Sequence, residues 1–420
     1  MTFLFLMNQS LAGADSGLAV YKDIAEIKAY QDRNLEYMNI CQPHWLDDDA
    51  GLFYGFWGQC MKDYRSAQPH EGYEIVQRWR DRVNAKSKAR NTRHIRRRIQ
   101  SRVDKQRPFD DDDVQHHMPY DIITTNDQTN EDAWAGAFFS FTSNVDAHFH
   151  DFLRTQELYE CHGNVELWQC SDPYCFDPQP SMIWRMPLDF EFAIDKETMM
   201  APPRKSDLKK KKEADVSSQC DHLQLSAEGE PVPHIGQTRR TSQQSRSNLL
   251  QDMPPSRNTT KLSFRDHNDN YPKCPCCGNL ARPAILMFGD LDYKRDYSQK
   301  IRWDLWRKSV YDLAHSCSED KKDSKRRALR VCVLETGAGI RIPTARRTSE
   351  LFVTDLSREG LHAKATLVRI NPDFPLANDL PEDCVIPIMD RGLRAVRKIE
   401  EYYSQRMKRT KEPSNASPTS

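Results

Sequence analysis

Two apolar segments near the C-terminus, separated by a stretch of helical length, constrain the fold more than any other feature. Residues 328–335 (ALRVCVLE) and 365–371 (ATLVRIN) have the length and aliphatic content of buried strands. Residues 345–356 have the pattern of a helix, so the three segments predict a βαβ unit. A strand at 385–388 and a helix at 391–403 would extend that unit. The sequence therefore predicts an α/β fold with a Rossmann-like, doubly wound parallel sheet.

The other part of this domain is expected in residues 1–160, which would also contain a helical and basic insertion. The opening residues 1–7 (MTFLFLM) predict either a strand or an irregular start. Residues 137–142 predict a buried strand that ends in the polar loop 143–146. Ligand sites in open α/β sheets lie at the carboxyl ends of strands, so this loop is a candidate site.

The chain between the two parts differs in composition. Residues 161–290 hold two pairs of cysteines and predict a small inserted domain. Within it, residues 201–265 are rich in Lys, Gln, Ser and Arg and have almost no aromatic residues, which predicts a disordered insertion. Residues 291–404 then complete the large domain, and residues 405–420 predict a disordered tail.

A densely basic segment, residues 86–107, precedes an acidic run at 110–113. It is typical of a solvated surface helix followed by a loop, with a polyanion-binding patch as the alternative. The chain as a whole offers no long-range field for a polyanion, because 61 Lys and Arg balance 61 Asp and Glu. Nucleic acid is therefore a disfavoured partner.

The sequence also bears on the compartment of the protein. It contains no apolar run of about 18 residues, so no membrane span is predicted. Of its 12 cysteines, Cys274, Cys276 and Cys277 are too crowded for a simple disulfide framework. This crowding favours a reducing compartment, and we expect an intracellular protein of the cytoplasm or nucleus.

Four cysteines occur in two close pairs. Four residues separate Cys170 from Cys175, and two separate Cys274 from Cys277. Two short turns can present four thiolates to one zinc ion as a closed tetrahedron, so the pattern predicts one structural zinc. Redox-active or unliganded cysteines are the alternative, and Cys276 could replace a neighbouring ligand.

Two further motifs suit a small ligand. His162 precedes Gly163 just ahead of the first cysteine pair, where a histidine is either structural or an acid–base group. Gly337-Ala338-Gly339 lies between a predicted strand and a predicted helix, where small residues let a phosphate or ribose approach backbone N–H groups. A plain tight turn fits the same three residues. Asn371 ends the next strand, where a ribose hydroxyl is commonly bound.

The order of the motifs resembles that of the sirtuin family of NAD-dependent protein-lysine deacylases. The likeness extends from about residue 12 to residue 403, apart from the insertions. In the N-terminal part, Ala14-Asp15-Ser16-Gly17-Leu18 is similar to the second half of the family's first NAD loop, and Thr142-Ser143-Asn144-Val145-Asp146 to its Thr-Gln-Asn-Ile-Asp block. In the middle, His162-Gly163 is similar to its His-Gly, Arg282-Pro283 to its Arg-Pro, and Phe288-Gly289-Asp290 to its Phe-Gly-Glu. In the C-terminal part, Gly337-Ala338-Gly339 is similar to its Gly-Thr-Ser and Ile370-Asn371 to its Ile-Asn.

The resemblance implies an enzyme that uses NAD to remove acyl groups from protein lysines, releasing nicotinamide and O-acyl-ADP-ribose. His162 would be the general base acting on the NAD ribose, while Asn144 and Asp146 would orient the nicotinamide-side ribose and its water. The implied cofactors are NAD and one structural zinc, the latter bound by Cys170, Cys175, Cys274 and Cys277. The implied cofactor-binding residues are Gly13, Ala14, Gly17, Tyr21, Ser143, Asn144, Asp146, Gly337, Ala338, Gly339, Asn371, Cys384 and Val385.

The resemblance also implies a partner. An acyl-lysine protein or peptide would bind near Phe288, Gly289 and Asp290, where the extended substrate would add as a strand.

The first NAD loop departs from the family's pattern. Gln9-Ser10-Leu11 stands where the family has Gly-Ala-Gly, and Ala19-Val20-Tyr21-Lys22 where it has Pro-Asp-Phe-Arg. Side chains in the first stretch would occupy space that a pyrophosphate needs next to the backbone. We therefore expect either that the first strand is missing or that NAD binding is impaired.

Two alternatives to an active enzyme remain. One is a catalytically weak sirtuin-like peptide-binding protein. The other is a zinc-containing nucleic-acid adaptor that uses residues 86–107 and 204–212. Aromatic residues are not interleaved with these basic residues, as stacking on single strands requires, and this disfavours the adaptor.

Overall fold

A computed structural model of the chain describes residues 2–8, 26–87, 134–175, 183–203, 270–319, 328–359, 361–377 and 379–409. Within these residues the strands are β1 (Thr2–Asn8), β2 (Phe138–Thr142), β3 (Leu158–Glu160), β4 (Gly163–Cys170), β5 (Ile183–Arg185), β6 (Ala281–Ile285), β7 (Leu329–Thr336), β8 (Ala363–Ile370) and β9 (Val385–Ile388). The α-helices are α1 (Lys28–Gln31), α2 (Tyr37–Ile40), α3 (Trp45–Asp48), α4 (Ala50–Ser66), α5 (Glu71–Ser87), α6 (Tyr297–Glu319), α7 (Thr344–Leu356) and α8 (Gly392–Arg409). Short 3-10 turns span His148–Asp151, Thr155–Glu157 and Glu382–Cys384.

The larger sheet has six parallel strands in the order β3-β2-β1-β7-β8-β9. One half is built outward from β1 through β2 to β3. The chain then returns to the other side of β1 and builds outward from β7 to β9. This is the strand order of a doubly wound, Rossmann-like sheet, so the predicted fold class is confirmed, with β7, α7 and β8 as the predicted βαβ unit.

Strand β1 lies at the centre of this sheet. Its Phe5 stacks on Trp303 with the ring centroids 4.7 Å apart, whereas Leu6 belongs to the apolar cluster on the opposite face. Such a strand, apolar on both sides, suits a sheet that is covered on both faces. The expectation of a missing first strand is wrong, because Thr2–Asn8 forms the central strand and ends directly before Gln9.

Helices cover both faces of the larger sheet. On one face, α6 contributes Trp303 and Trp306 to an apolar cluster that also contains Phe352 of α7. On the other face, Tyr73 of α5 and Val396 of α8 pack together. Since both faces are covered, the edges formed by the strand ends remain for ligands.

The smaller sheet is antiparallel, in the order β5-β4-β6. It shares an apolar core with α1 to α4, in which Tyr54 stacks on Trp168 with the ring centroids 6.4 Å apart. The predicted boundaries placed residues 1–160 in the large domain. Residues 28–66 instead pack with the smaller sheet, because the aromatic side chains of α4 complete its core.

The predicted C-terminal tail begins within a helix. Helix α8 continues past residue 404 to Arg409, and its last turn holds Arg406, Lys408 and Arg409. Cationic side chains at a helix C-terminus are stabilised by the helix dipole. The rest of that tail lies outside the described residues, as do residues 9–25, 88–133 and 204–269, which include nearly all of the predicted basic segment and insertion.

The helices described in the structure include none that is both long enough and apolar enough to cross a membrane. The cysteines that the structure describes are free thiols.

Candidate functional site

The candidate site lies where the carboxyl ends of the parallel strands meet. Strand β2 leads into Ser143, β3 into Cys161, β7 into Gly337 and β8 into Asn371. The direction in which strands are added reverses between β1 and β7, and ligands of open α/β sheets bind at such a switch point. The topology therefore brings residues from four separate predicted motifs to one edge of the sheet.

The turn after β3 is tied to the loop after β2. Two backbone hydrogen bonds of 2.9 Å join them, from Cys161 to Thr142 and from Val165 to Val145. The His162 imidazole lies close enough to the backbone of Ser143 for that backbone to affect its pKa. His162 is thus held against the segment that contains Ser143 and Asn144, as the order of the motifs predicts.

Gly163 makes this close approach possible. Its φ is +73°, in the left-handed region that glycine adopts readily. A Cβ at this position would lie 1.8 Å from the carbonyl oxygen of Ala284 in β6. The carbonyl of His162 accepts a hydrogen bond of 2.9 Å from the N–H of Leu286, just beyond that strand. The His162 turn is therefore clamped between the β2 loop and the end of β6.

Burial sets the charge state of His162. Loss of solvation lowers its pKa below the usual value, and the nearby Arg295 acts in the same direction. The nearby Ser143 backbone opposes this shift without reversing it. The imidazole is therefore neutral at pH 7, which is the form that can accept a proton.

Two shielded polar atoms beside His162 have no hydrogen-bond partner among the described residues, namely Oγ of Ser143 and Nδ2 of Asn144. Buried polar atoms are nearly always hydrogen-bonded, so these two suit the polar groups of a bound ligand. Asp146 is engaged differently. Its carboxylate accepts a hydrogen bond of 2.8 Å from the backbone N–H of His148 at the start of the 3-10 turn His148–Asp151.

Gly337-Ala338-Gly339 forms the turn after β7, with φ +64° at Gly337. Asn371 holds this turn, because its Nδ2 donates to the Ala338 carbonyl at 3.0 Å. Its Oδ1 accepts from the backbone N–H groups of Asp373 and Phe374, each at 2.9 Å. Asn371 therefore shapes the loop that would receive a ribose, and its own contact with a ribose stays a prediction.

A buried ion-pair network beneath this edge was not predicted. Glu335 of β7 and Arg369 of β8, both 0% exposed, pair at 2.6 Å. Arg369 also binds Glu350 of α7 and the carbonyl of Leu376, each at 2.8 Å. The available signal was a Glu and an Arg ending consecutive apolar strands, where they become direct cross-strand neighbours.

The remaining predicted cofactor residues do not join this group in the described structure. Cys384 and Val385 lie at the amino end of β9, and Val385 pairs with Leu367 in the middle of β8. Gly13, Ala14, Gly17 and Tyr21 lie outside the described residues, as does Gln9-Ser10-Leu11.

The four predicted metal ligands converge. The Sγ atoms of Cys170, Cys175, Cys274 and Cys277 all lie within 4.8 Å of one another. Cys170 is 3.5 Å from Cys277, and Cys175 is 3.8 Å from Cys274. Zinc–sulfur bonds of about 2.3 Å place tetrahedral sulfurs about 3.8 Å apart. These residues fit one tetrahedral zinc ion.

The local backbone shapes this tetracysteine centre. Strand pairing places Cys170 opposite Ala281, which brings the two cysteine pairs together although they are far apart in sequence. Gly278, at φ +77°, donates its N–H to the Cys274 carbonyl at 2.9 Å. Burial alone would raise the pKa of Cys277, but the N–H of Asn279 and the neighbouring thiols lower it. Burial instead raises the pKa of the Cys170 thiol to about 12 and also raises that of Cys175, so without metal only Cys277 is shifted toward the thiolate.

The residues predicted to bind a peptide form a turn. The N–H of Phe288 donates to the Cys41 carbonyl at 3.1 Å, and Gly289 has φ +70°. Asp290 makes a buried ion pair of 2.5 Å with Arg282. Because the Phe288 N–H is already used, a peptide strand could not pair with it. Peptide binding elsewhere near these residues stays a prediction.

No protein-family model matches this chain, and a search of curated proteins gives no match. Among solved structures, the chain is similar to the crystal structure of a Sir2 homolog–NAD complex. The sequence identity is 12% and the TM-score 0.42, with coverage of 96% of this chain and 89% of that chain. A similarity this weak assigns no activity to the present chain.

Proposed function

We propose that this chain is an NAD-dependent protein-lysine deacylase of the sirtuin type. The observation that carries the proposal is the position of the buried His162, whose turn is tied by backbone hydrogen bonds to the loop of Asn144, where Nδ2 of Asn144 has no partner among the described residues. These groups lie at the carboxyl ends of adjacent strands in a Rossmann-like sheet, where such proteins bind nucleotides. The resemblance of the same residues to the sirtuin motifs supports the same activity.

Each polar group has a role in this proposal. When bound, NAD would supply a ribose carbon as acceptor of the acyl-lysine oxygen, with nicotinamide as leaving group, and a ribose hydroxyl as acceptor of the acyl group, with one water consumed as the free lysine amine is released. His162 takes the proton of a ribose hydroxyl, which a neutral imidazole can do near pH 7. Asn144 donates to a polar atom of the cofactor, and Asp146 fixes the loop that carries Asn144.

Zinc, when bound, has a structural role in this proposal. Four cysteine ligands leave no coordination position open for water or substrate. The four cysteines would hold the end of β4 against the start of β6, the strand whose other end contacts the His162 turn.

The experiment replaces His162 by alanine. We expect His162→Ala to lower NAD-dependent removal of acetyl from an acetyl-lysine peptide by about 10²–10⁴-fold, because general base catalysis is lost. Zinc content and the far-UV circular dichroism spectrum should not change. Nicotinamide release should fall less, since the substrate oxygen is the nucleophile in that step.

The same test should also be made in a variant that lacks Gln9-Ser10-Leu11, because these side chains are expected to impair NAD binding. The triple substitution Gln9→Gly, Ser10→Ala, Leu11→Gly restores the family's small loop directly after β1. If this variant binds NAD but turns over equally well with and without His162→Ala, the proposed enzyme is wrong. If it binds NAD and acyl peptide without turnover, the chain is a peptide-binding protein.

The pH profile gives an independent check on the charge of His162. The base is active when deprotonated, and its pKa is lowered from 6.5, so the acid limb of the profile, along which activity rises with pH, should be centred below 6.5. The measurement is kcat/KM between pH 5 and 8, and a midpoint above 6.5 would contradict the assignment.

A further inference from the structure

A buried polar cluster behind the His162 turn has no part in the proposed reaction. It consists of His150, Glu160, Asn164 and Gln299, which are 2%, 4%, 0% and 2% exposed. The four residues belong to the 3-10 turn after β2, the end of β3, the start of β4 and the start of α6. The cluster therefore joins four elements at the base of the candidate site.

The carboxylate of Glu160 is the centre of the cluster. Its Oε2 accepts from Nδ2 of Asn164 at 2.6 Å and lies 3.1 Å from Nε2 of His150. Nε2 of Gln299 lies 3.5 Å from the same oxygen, and Oε1 of Gln299 accepts from the Glu160 backbone N–H at 2.8 Å. A shared acceptor of this kind fixes the relative positions of its donors.

Both catalytic segments of the proposed site are attached to this carboxylate. His150 lies on the turn that Asp146 caps, a few residues after Asn144. Asn164 directly follows His162-Gly163, and its Oδ1 accepts from the N–H of Glu166 at 3.0 Å. Glu160 thus connects the loop of Asn144 to the turn of His162 through side chains as well as through backbone.

Charged groups from three elements act on His150. Burial lowers its pKa, but the Glu160 carboxylate of β3 and Asp151 of its own turn outweigh burial and the opposing Arg185 of β5. The net pKa is raised above the usual value. Asn164 and Gln299 contribute no charge. The Glu160 carboxylate, 3.1 Å from Nε2 of His150, therefore favours the protonated form of His150, in which the two side chains form an ion pair.

We propose that the His150–Glu160 pair is a positioning device that sets the spacing between Asn144 and His162. The proposal rests on the proposed function for the reaction it serves. Stability alone is a poor reason for such a pair, because the cost of desolvating two buried charges commonly equals or exceeds their attraction. A fixed spacing between two reacting groups is a sufficient reason, because displacements of about 1 Å can lower rates about 10²-fold.

The test compares two neighbouring buried histidines. His150→Gln removes the charge that faces Glu160. His148→Gln is the matched control, because His148 is 0% exposed on the same turn but its Nε2 contacts the Tyr64 carbonyl at 2.9 Å, away from Glu160. In the Gly-Ala-Gly background we expect His150→Gln to lower kcat about 10–100-fold with KM for the peptide unchanged, and His148→Gln to keep kcat per folded molecule.

The pH profile separates positioning from general stability. In the parent, the ion pair is lost as pH rises through the raised pKa of His150, so activity should fall along an alkaline limb centred above 6.5. His150→Gln has no such group and should lack that limb, whereas His148→Gln should retain it. The proposal is overturned if His150→Gln keeps the parent's kcat and pH profile, or if both variants change alike.

Nuclear magnetic resonance tests the positioning proposal without requiring enzyme activity. If no deacylase activity were found, only the proposed function would be refuted. In the unsubstituted chain, the His150 imidazole should titrate above 6.5, and a lower value would overturn the ion pair even if no variant folds. His150→Gln should shift the His162 ring and Asn144 side-chain signals, and His148→Gln should leave both in place. Unmoved signals in His150→Gln would overturn the positioning role.

Discussion

The sheet edge around His162 and the tetracysteine centre both gather residues from distant parts of the chain, but different forces hold them. At the sheet edge, strands such as β1 are buried on both sides, and internal pairs such as Glu335–Arg369 fix the loops that follow. At the tetracysteine centre, four thiols lie close together, and Cys277 is exposed. The first arrangement is supported by protein atoms alone, whereas the second is suited to a bound cation.

The comparison predicts which part of the molecule each perturbation should destabilise. The smaller sheet has an aromatic core with α4, and Cys170, Cys175 and Cys274 belong to the same core. Loss of metal should therefore destabilise the smaller sheet, while loss of a buried ion-pair partner should weaken the larger sheet.

The largest effect is expected from metal removal. The purified chain should contain one zinc, and a chelator should unfold the smaller sheet, because zinc-binding free energies of about 10–16 kcal/mol in zinc-finger peptides equal or exceed the stability of a typical domain. Hydrogen exchange should rise in the segments next to Cys170 and Cys274 and remain slow in β1 and β7. Cys277→Ser should lose zinc, and Cys276→Ser is the matched control that should keep it. Elemental analysis that finds no zinc would refute the centre.

The next effect concerns the buried ion pair. Arg369→Met should destabilise the larger sheet by about 3–5 kcal/mol, because Glu335 is left buried without its cation. Adding Glu335→Leu should recover most of that loss, since a buried pair replaced by apolar residues is often neutral. Chemical unfolding of the two variants is the measurement. A double variant no more stable than Arg369→Met would show that the charges themselves are not the cause.

The smallest effect compares two glycines with the same backbone strain. Gly163→Ala and Gly289→Ala both place a Cβ at positive φ, which costs about 1–2 kcal/mol. Only at Gly163 does the Cβ meet backbone, the Ala284 carbonyl, so we expect a total loss of about 2–4 kcal/mol there. At Gly289 nothing described lies within 4 Å, and strain alone should remain. Equal melting temperatures for the two variants would contradict the close approach at His162.

Several features could be predicted because they depend on local patterns. The strands at 328–335 and 365–371 are apolar on both faces, and this pattern alone requires burial inside a parallel sheet. Two short cysteine spacings are sufficient to predict the thiol cluster, since each turn presents two sulfurs whatever lies between the pairs. The proximity of His162 to Ser143 and Asn144 also follows from strand ends that meet at one edge.

Other features were decided by contacts between residues far apart in sequence. Helix α4 has buried aromatic side chains on several sides, and its packing on Trp168 decides that it covers the smaller sheet. The residues near which a peptide is expected to bind include Gly289 at φ +70° and the buried Arg282–Asp290 ion pair. The sequence by itself determined which segments are buried and which residues follow each strand. The tertiary structure decided which buried groups become partners, because burial depends on each segment's own composition whereas pairing depends on geometry between segments.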